Sequence, residues 1–373
     1  MSNKSFTAGP GPRLLLCVVL LGTSVVALVG SDAAPNPPVI TVEMLETLKV
    51  LPGGLAALPS VPVPRDNPQT DAKVQLGKHL FFDKRLSLDR SLSCSSCHDP
   101  AKAFTDGRTK ASGFGGFTLS RNAPTVLNAA FNRAQFWDGR ARSLEEQAKG
   151  PLTAKHEMNM LDEHLLVARL NHVPEYKKQF QTAFGSAPSL DNVARAIAAF
   201  ERTLTTPDSR FDRYANGDKS SLTVHEKQGL ILFFGKAACA ECHNGPNFTD
   251  DKLYGLGTSS AANKSADMGR FAVTRLRQDK GVFKTPTLRN IELTGPYMHD
   301  GSFATLEEVV ELYNRGGDPG PNKSKLLHKL DLSSQEKSDL IAFLKTLTGT
   351  MPAVEKPEMY PDAPLAVNRR LPQ

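Results

Sequence analysis

Apolar positions recur at helical spacing in several segments of this chain. The segments DAKVQLGKHLFF, TVHEKQGLILFF, SLEEQ and TLEEVVELY place apolar side chains three and four residues apart. Thr223 and Glu226 form a capping-box pattern at the start of the second segment. The segment 191–204, DNVARAIAAFERTL, predicts a long amphipathic helix that ends before TTPDS. No convincing run of alternating apolar and polar residues predicts a strand, so we expect a mainly α fold.

The N-terminal pattern is of a different kind. Two basic residues precede an apolar run at 14–30, and the sequence SDAAPNPP follows it. This order is typical of a secretory signal, so we expect residues 1–34 to be removed from an exported protein. An uncleaved N-terminal membrane anchor is the alternative, although about 16 apolar residues are few for a span of roughly 20.

Length and charge narrow the classes of protein that remain. The 373 residues are 40% hydrophobic and 23% charged, which is ordinary for a globular protein of two or three domains. The net charge is +6, but the basic residues are scattered and form no stripe. We therefore exclude nucleic acid as a partner.

Four of the five cysteines form a repeated motif, and the fifth, Cys17, lies inside the N-terminal apolar run. A Cys-x-x-Cys-His sequence is typical of covalent c-type haem attachment, with the histidine as the proximal iron ligand. Zinc sites and redox disulfides use the same residue types, but a histidine directly after both pairs favours haem. The two motifs are Cys94-Ser-Ser-Cys97-His98 and Cys239-Ala-Glu-Cys242-His243.

The two motifs lie in a duplicated frame. LGKHLFFDKR precedes the first motif and QGLILFFGKA the second, while FTDG and FTDD follow them. The 25 residues from Ala123 align without gaps on those from Thr285. We therefore expect an N-terminal haem domain at 35–205, a C-terminal haem domain at 206–350 and a tail at 351–373.

Differences between the copies distinguish the two predicted haems. The alignment pairs Trp137 with His299 and Pro151 with Tyr313. If the side chain at the position shared by Pro151 and Tyr313 reaches the iron, the second haem gains a phenol ligand, whereas the first haem has only proline there and stays open. Met298 is an alternative ligand for the second haem. An open, histidine-ligated iron is where peroxide or dioxygen can bind.

The sequence closely resembles the bacterial di-haem cytochrome c peroxidase and MauG superfamily over about residues 66–347. The resemblance is carried by both haem motifs and by RNAPTVLNAAFN, FWDGRARSLEEQ, KTPTLRN and GPYMHDGSFATLEE. It implies a pair of α-helical cytochrome c-like domains in a periplasmic enzyme, with the reactive haem in the N-terminal domain. The second haem would relay electrons to it.

The resemblance also implies roles for individual residues. It places Trp137 between the haems, and it places Glu157, supported by Gln147, over the open iron. It further implies a calcium ion at the domain interface, held by Asn122, Thr294 and Pro296.

Three positions depart from patterns within the superfamily. Phe114 occupies the place of a distal histidine that typical peroxidases lose on reductive activation, so we expect no such activation. Tyr313 replaces a methionine, as in MauG-type enzymes. Ala237 stands where MauG has a surface tryptophan that oxidises its protein substrate.

We therefore predict an exported di-haem peroxidase that reduces hydrogen peroxide. A small c-type cytochrome or a cupredoxin would supply the electrons, and the chain is a possible homodimer. One alternative is a MauG-like enzyme that uses peroxide to oxidise side chains of a partner protein. The other is a non-catalytic di-haem electron-transfer cytochrome.

Overall fold

The described part of the chain is mainly helical, and hydroxyl side chains begin most of its longer helices. The computed structural model describes residues 40–257, 267–320 and 322–362. Thr70, Ser189 and Ser333 each accept a backbone N–H from the first turn of a helix. In chain order the helices are α1 Val42–Thr47, α2 Asp71–Phe82, α3 Leu144–Thr153, α4 Glu163–Asn171, α5 Pro174–Phe184, α6 Leu190–Glu201, α7 Arg210–Ala215, α8 Val224–Phe234, α9 Phe271–Thr274, α10 Leu306–Asn314 and α11 Ser334–Lys345.

The predicted helices are confirmed, and their boundaries follow the capping residues. Helix α2 matches the predicted segment, and the capping box of Thr223 and Glu226 begins α8. The predicted long helix is α6. In the described residues, the strands are limited to one antiparallel pair, β1 Leu253–Gly255 and β2 Val282–Lys284, with Tyr254 opposite Phe283. Strands of three residues are too short for an alternating pattern to reveal.

The first hydrophobic core lies among α2, α4, α5 and α6. Helix α6 contributes a nearly continuous buried surface that includes Val193, Ile197 and Phe200. Phe81 of α2 packs edge-on against Phe200, with ring centroids 5.2 Å apart. Cys94 of the first motif packs against this core.

The second hydrophobic core lies chiefly between α8 and α11. Phe233 of α8 packs edge-on against Phe343 of α11, with ring centroids 5.2 Å apart. Cys239 of the second motif and Tyr313 of α10 pack against this core. Each motif is therefore adjacent to its own core.

The same close helix crossing occurs in both cores. A methyl carbon at Gly77 of α2 would lie 1.9 Å from the Ala196 carbonyl oxygen of α6. At Gly229 of α8 it would lie 2.0 Å from the Asp339 carbonyl oxygen of α11. Only glycine lets the two backbones of each pair approach this closely.

One hydroxyl joins the two parts of the chain. The side-chain amides of Asn128 and Asn290 both donate to the Thr206 hydroxyl, each at 2.7 Å. Both asparagines adopt left-handed backbone conformations, with φ of 59° and 60°. Their backbone N–H groups donate to the carbonyls of Leu204 and Leu347, respectively. The two asparagines therefore make matching contacts about Thr206.

The segment after α11 returns to the first core. Met351, Val354 and Met359 pack against that core, and Tyr360 stacks on His79 with ring centroids 4.4 Å apart. Asp362 forms ion pairs with two arginines of the 83–90 region. Part of the predicted tail therefore covers the first core. The rest of the tail and the predicted signal at 1–34 lie outside the described residues.

No helix in the described ranges is long and apolar enough to span a membrane.

Candidate functional site

Both Cys-x-x-Cys-His motifs fold into the same local turn. Cys94–Ser96 and Cys239–Glu241 form single 3₁₀ turns. The N–H of His98 donates to the Cys94 carbonyl at 3.0 Å, and that of His243 to the Cys239 carbonyl at 2.9 Å. The four thiols are free, so the disulfide alternative is not formed in this structure.

Both motif histidines are oriented by a backbone carbonyl. His98 Nδ1 lies 3.2 Å from the Phe104 carbonyl oxygen, and His243 Nδ1 lies 3.1 Å from that of Phe248. A hydrogen bond at Nδ1 leaves Nε2 as the metal-binding atom. Burial lowers the pKa of His98 and lowers that of His243 to about 4. Both rings are therefore neutral, as iron ligation requires.

A large cavity of about 270 Å³ opens beside the second motif. Cys239, Cys242 and His243 line it, and Tyr313 and Met298 line it as well. Mostly apolar side chains form the remaining wall, which suits the flat, apolar porphyrin ring of a haem. The motif and both candidate distal ligands therefore share one cavity.

The environment of Tyr313 places its phenol near the attachment cysteines. Burial raises the pKa of the phenol, and the nearby thiols of Cys239 and Cys242 raise it further. A neutral phenol is therefore favoured until a cation is close. Ala237 is a buried residue in the wall of the same cavity, so that position presents no surface aromatic group.

Trp137 lies in the same cavity wall, at the boundary with the first half of the chain. Its indole N–H donates to the Asn122 carbonyl at 3.0 Å. Its own carbonyl accepts from the Lys284 N–H at 2.7 Å. The reciprocal bond runs from the Asn122 N–H to the His299 carbonyl at 2.8 Å. The duplication pairs Asn122 with Lys284 and Trp137 with His299. Each of the first two donates its backbone N–H to the tryptophan or histidine of the other copy.

The three candidate calcium ligands also line this cavity. Asn122, Thr294 and Pro296 contribute to its wall. The amide nitrogen of Asn122 donates to the Arg108 carbonyl at 2.7 Å, which leaves the side-chain oxygen for another partner. Oxygen atoms are the ligands that calcium prefers. The residue types and their shared location fit such an ion.

Glu157 lies beside the first motif. Its carboxylate is close enough to Cys97 to raise the pKa of that thiol. Burial raises the pKa of Glu157 itself, while Arg140 and Arg121 counteract the shift. The carbonyl of Glu157 accepts the N–H of Phe114 at 2.9 Å. The structure therefore brings together the first motif, the predicted acid and the position that lacks a distal histidine.

Helix α3 positions the loop that carries Glu157. Pro151 is inside α3, and its carbonyl accepts the Met158 N–H at 3.0 Å. Gln147 is one turn earlier on the helix, and its side chain makes no hydrogen bond to Glu157 among the described residues. The support of Glu157 by Gln147 stays a prediction.

Sequence reasoning missed two charged residues at these sites. Lys284 is buried in the wall of the cavity beside the second motif, where its ammonium lies 3.6 Å from the Asp251 carboxylate. Glu201 is buried beside Cys94, whose pKa it raises. A signal existed for Glu201, because it continues the apolar series of Val193 and Ile197 at intervals of four.

The chain is similar to known peroxidases over most of its length. Residues 71–220 match the family model described as di-haem cytochrome c peroxidase. The chain is 42% identical to cytochrome-c peroxidase IdrP1 of Pseudomonas sp. (strain SCT), covering 82% of this chain and 89% of that protein. It is 45% identical to methylamine utilization protein MauG of Methylorubrum extorquens, covering 80% of this chain and 85% of that protein.

A solved structure extends the similarity to the fold. A MauG-like protein associated with microbial copper homeostasis is 39% identical, with a TM-score of 0.72 over 79% of this chain and 94% of that chain. Identity at this level over most of both chains shows common family membership. The chain therefore belongs to the di-haem cytochrome c peroxidase family of peroxidase-type oxidoreductases.

Proposed function

We propose that this protein reduces hydrogen peroxide at a haem held by Cys94, Cys97 and His98. A second haem, held by Cys239, Cys242 and His243, relays the electrons. The observation that carries the proposal is the difference between the two sites. Tyr313 and Met298 line the cavity of the second motif, whereas the first motif has Phe114 and the partly buried carboxyl of Glu157 beside it.

The haem iron supplies the site where peroxide binds and the electrons that cleave its O–O bond. Glu157 accepts a proton from the bound peroxide and returns it to the departing oxygen. Arg121 and Arg140 favour the ionised carboxylate that accepts this proton. The family resemblance assigns Gln147, one turn before Pro151, a supporting role to this carboxylate, although the two side chains share no hydrogen bond among the described residues.

Trp137 provides the path between the two sites. It lines the cavity beside the second motif, and its indole N–H donates to the carbonyl of Asn122, a residue of the N-terminal half. The aromatic ring therefore fills the boundary between the halves. A calcium ion held by Asn122, Thr294 and Pro296 fixes that boundary.

The chain organisation of the proposal follows the duplicated sequence frame. Two cytochrome c-like domains, 35–205 and 206–350, are supported by the paired glycine crossings and by the matching asparagines at Thr206. Residues 1–34 direct export to the periplasm. A small c-type cytochrome or a cupredoxin donates the electrons.

A second candidate function is oxidation of side chains in a partner protein. Tyr313 favours it, because a phenolate ligand stabilises iron in higher oxidation states. The similarity to a MauG and to a MauG-like structure supports this candidate as well. It would use the same two sites, with electrons taken from the partner's side chains.

Steady-state peroxide consumption tests the two candidates together. The purified protein should carry two covalent haems per chain in a pyridine haemochrome assay. It should oxidise reduced c-type cytochrome or cupredoxin with a stoichiometry of two electrons per peroxide. Two haems without any peroxide turnover, with either donor or with a protein substrate, would leave only the electron-transfer cytochrome.

A further inference from the structure

A buried carboxyl without a partner lies at the first motif. Glu201, the last residue of α6, is 4% exposed, and its Oε2 has no hydrogen-bond partner in the described structure. Cys94 packs against the core that contains Phe200 and Leu204, the neighbours of Glu201 along the chain. The charge of Glu201 raises the pKa of the Cys94 thiol, as expected for groups this near to each other. Cys94 is one of the two attachment points of the proposed first haem. The carboxyl therefore lies at the edge where that haem joins the chain.

The second motif has leucine at the equivalent place. The close crossing pairs Gly77 with Ala196 and Phe200 in the first core, and Gly229 with Asp339 and Phe343 in the second. Counting one residue further along each helix pairs Glu201 with Leu344. Leu344 lines the cavity beside the second motif. The carboxyl thus belongs to the first site alone.

No cation neutralises Glu201 directly. The adjacent Arg202 donates to Glu145 of α3 at 2.5 Å, and Glu145 also accepts from Asn67. Arg202 lowers the pKa of Glu201, but Glu145 opposes this effect. The Nη2 of Arg202 is thus bonded to another acid, while its Nη1 is buried without a hydrogen-bond partner among the described residues.

The other charged groups around α6 make no ion pair with Glu201 in the described structure. Lys73 of α2 donates to the Asn67 side chain and to the Pro68 carbonyl. On α4, Glu163 accepts the Leu190 N–H, and Arg169 donates to the carbonyls of 85–88. Arg195 of α6 lies near Lys73 and lowers its pKa. Burial therefore dominates at Glu201 and raises its pKa to about 8.

We propose that Glu201 is a proton-coupled redox-tuning residue of the first haem. This role rests on the proposed function, because it requires a haem at Cys94, Cys97 and His98. When one electron, supplied by the external donor through the second haem, reduces that iron, the Glu201 carboxylate takes up one proton from solvent. When the iron is oxidised, the carboxyl releases the proton.

The sign follows from electrostatics in a buried environment. A carboxylate beside the macrocycle stabilises the oxidised state, which carries one more positive charge, and opposes reduction. Protonation removes this opposition. The midpoint potential of the first haem should therefore fall as pH rises through the titration range of Glu201.

Spectroelectrochemical titration of the intact di-haem protein tests the proposal. The first haem should lose up to about 59 mV per pH unit, the value for one proton per electron, across the range around pH 8. The second haem, next to Leu344, is the internal control and should change much less. Glu201→Gln should flatten the slope and raise the potential at high pH, while leaving it unchanged at low pH.

Two further variants separate titration from packing. Glu201→Asp should restore a pH-dependent slope, because it retains the carboxyl. Glu157→Gln removes the other carboxyl near the first motif and should leave the slope in place. A slope that persists in Glu201→Gln, or that disappears in Glu157→Gln, overturns the assignment.

The haem count separates this inference from the proposed function. If the haemochrome assay finds fewer than two covalent haems, the proposed function fails at its premise. If two haems are present and the potential of the first is independent of pH, only the role of Glu201 fails.

Discussion

Single residues distinguish the two motifs more clearly than their shared turn does. Both histidines are neutral and oriented by a carbonyl, and both cysteine pairs are partly buried free thiols. Both motifs have an aspartate nearby, Asp106 at the first and Asp250 at the second. The first motif has in addition the carboxyls of Glu157 and Glu201, whereas the second has the phenol of Tyr313. The chemistry of each site therefore depends on residues outside the Cys-x-x-Cys-His sequence.

Replacing Glu157 tests the proton carrier. Glu157→Gln should retain both haems and slow peroxide reduction about 10²-fold or more, the usual loss when a positioned proton carrier is removed. Because burial raises the pKa of Glu157, the rate of the parent protein should fall with acidification at a higher pH than an ordinary glutamate would give. That acidic limb should be absent in the variant.

Stopped-flow measurement of the first turnover across pH provides the comparison. Glu175→Gln, an exposed acid at the start of α5, is the matched control and should behave as the parent. Full activity of Glu157→Gln would exclude Glu157 from the mechanism.

Replacing Tyr313 identifies the distal ligand of the second haem. Tyr313→Phe removes the phenol oxygen while keeping the ring, so one haem should become high-spin or acquire another ligand. Met298→Leu is the paired variant, since both side chains line the same cavity. Electron paramagnetic resonance of the ferric protein distinguishes them. An unchanged spectrum in Tyr313→Phe with a changed one in Met298→Leu would assign the methionine.

At the scale of elements, the repeated helix crossing fixes where each motif can lie. Helices α2 and α8 each precede a motif in the chain, and α6 and α11 cross them at a glycine. Any side chain at Gly77 or Gly229 would have to displace backbone of the facing helix. The crossing therefore determines the distance between each motif and its core.

Alanine at either glycine should destabilise the fold. Gly77→Ala and Gly229→Ala should each lower the free energy of unfolding by about 3 kcal/mol, at the upper end for overpacking, because the clash is with backbone. Gln75→Ala, an exposed position on α2, is the control and should have little effect. Denaturant unfolding of the haem-loaded protein measures both. Equal stability of the glycine variants and the control would contradict the close crossing.

Several helices were predicted from sequence and others were not. The pattern gave α2, α6 and α8 because their apolar faces and capping residues agree. It did not give α4 or α5, and it missed α11 although the capping box of Ser333 and Glu336 is present in the sequence. Strands β1 and β2 are too short to carry a periodic signal.

Some residues of the candidate site were predicted from the sequence, and others were not. The motifs identified themselves through their spacing, and the family resemblance supplied Trp137 and Glu157. Lys284 was missed because a single charged residue in sequence does not reveal that folding will bury it. Glu201 was missed although its spacing of four from Ile197 placed it on the buried face of α6.

At the scale of the molecule, the two halves are joined by crossed backbone bonds. Asn122 bonds to the carbonyl of His299, and Lys284 bonds to that of Trp137. Thr206 accepts from an asparagine of each half. The halves are therefore held in register around Trp137.

Replacing Trp137 tests the electron path across this boundary. Trp137→Phe keeps an aromatic ring but removes the indole N–H bond to Asn122. Peroxide should still bind at the first haem, while oxidation of the second haem after mixing should slow at least about tenfold, which is about 1.4 kcal/mol in barrier. Stopped-flow spectra resolve the two haems.

Phe131→Leu, a partly buried aromatic change in the same half, is the control and should leave the transfer rate near that of the parent. If the second haem is oxidised equally fast in Trp137→Phe, the tryptophan is a packed core residue only.

The position of segment 351–362 at the end of the chain determines when the first core can be covered during folding. It follows both motifs in sequence, yet it packs against the first core and pairs with Arg85 and Arg90. The ribosome therefore releases both motifs before the segment that covers the first core becomes available. Until segment 351–362 has been made, that face of the N-terminal half stays uncovered. A cofactor could be attached to the first motif during this interval.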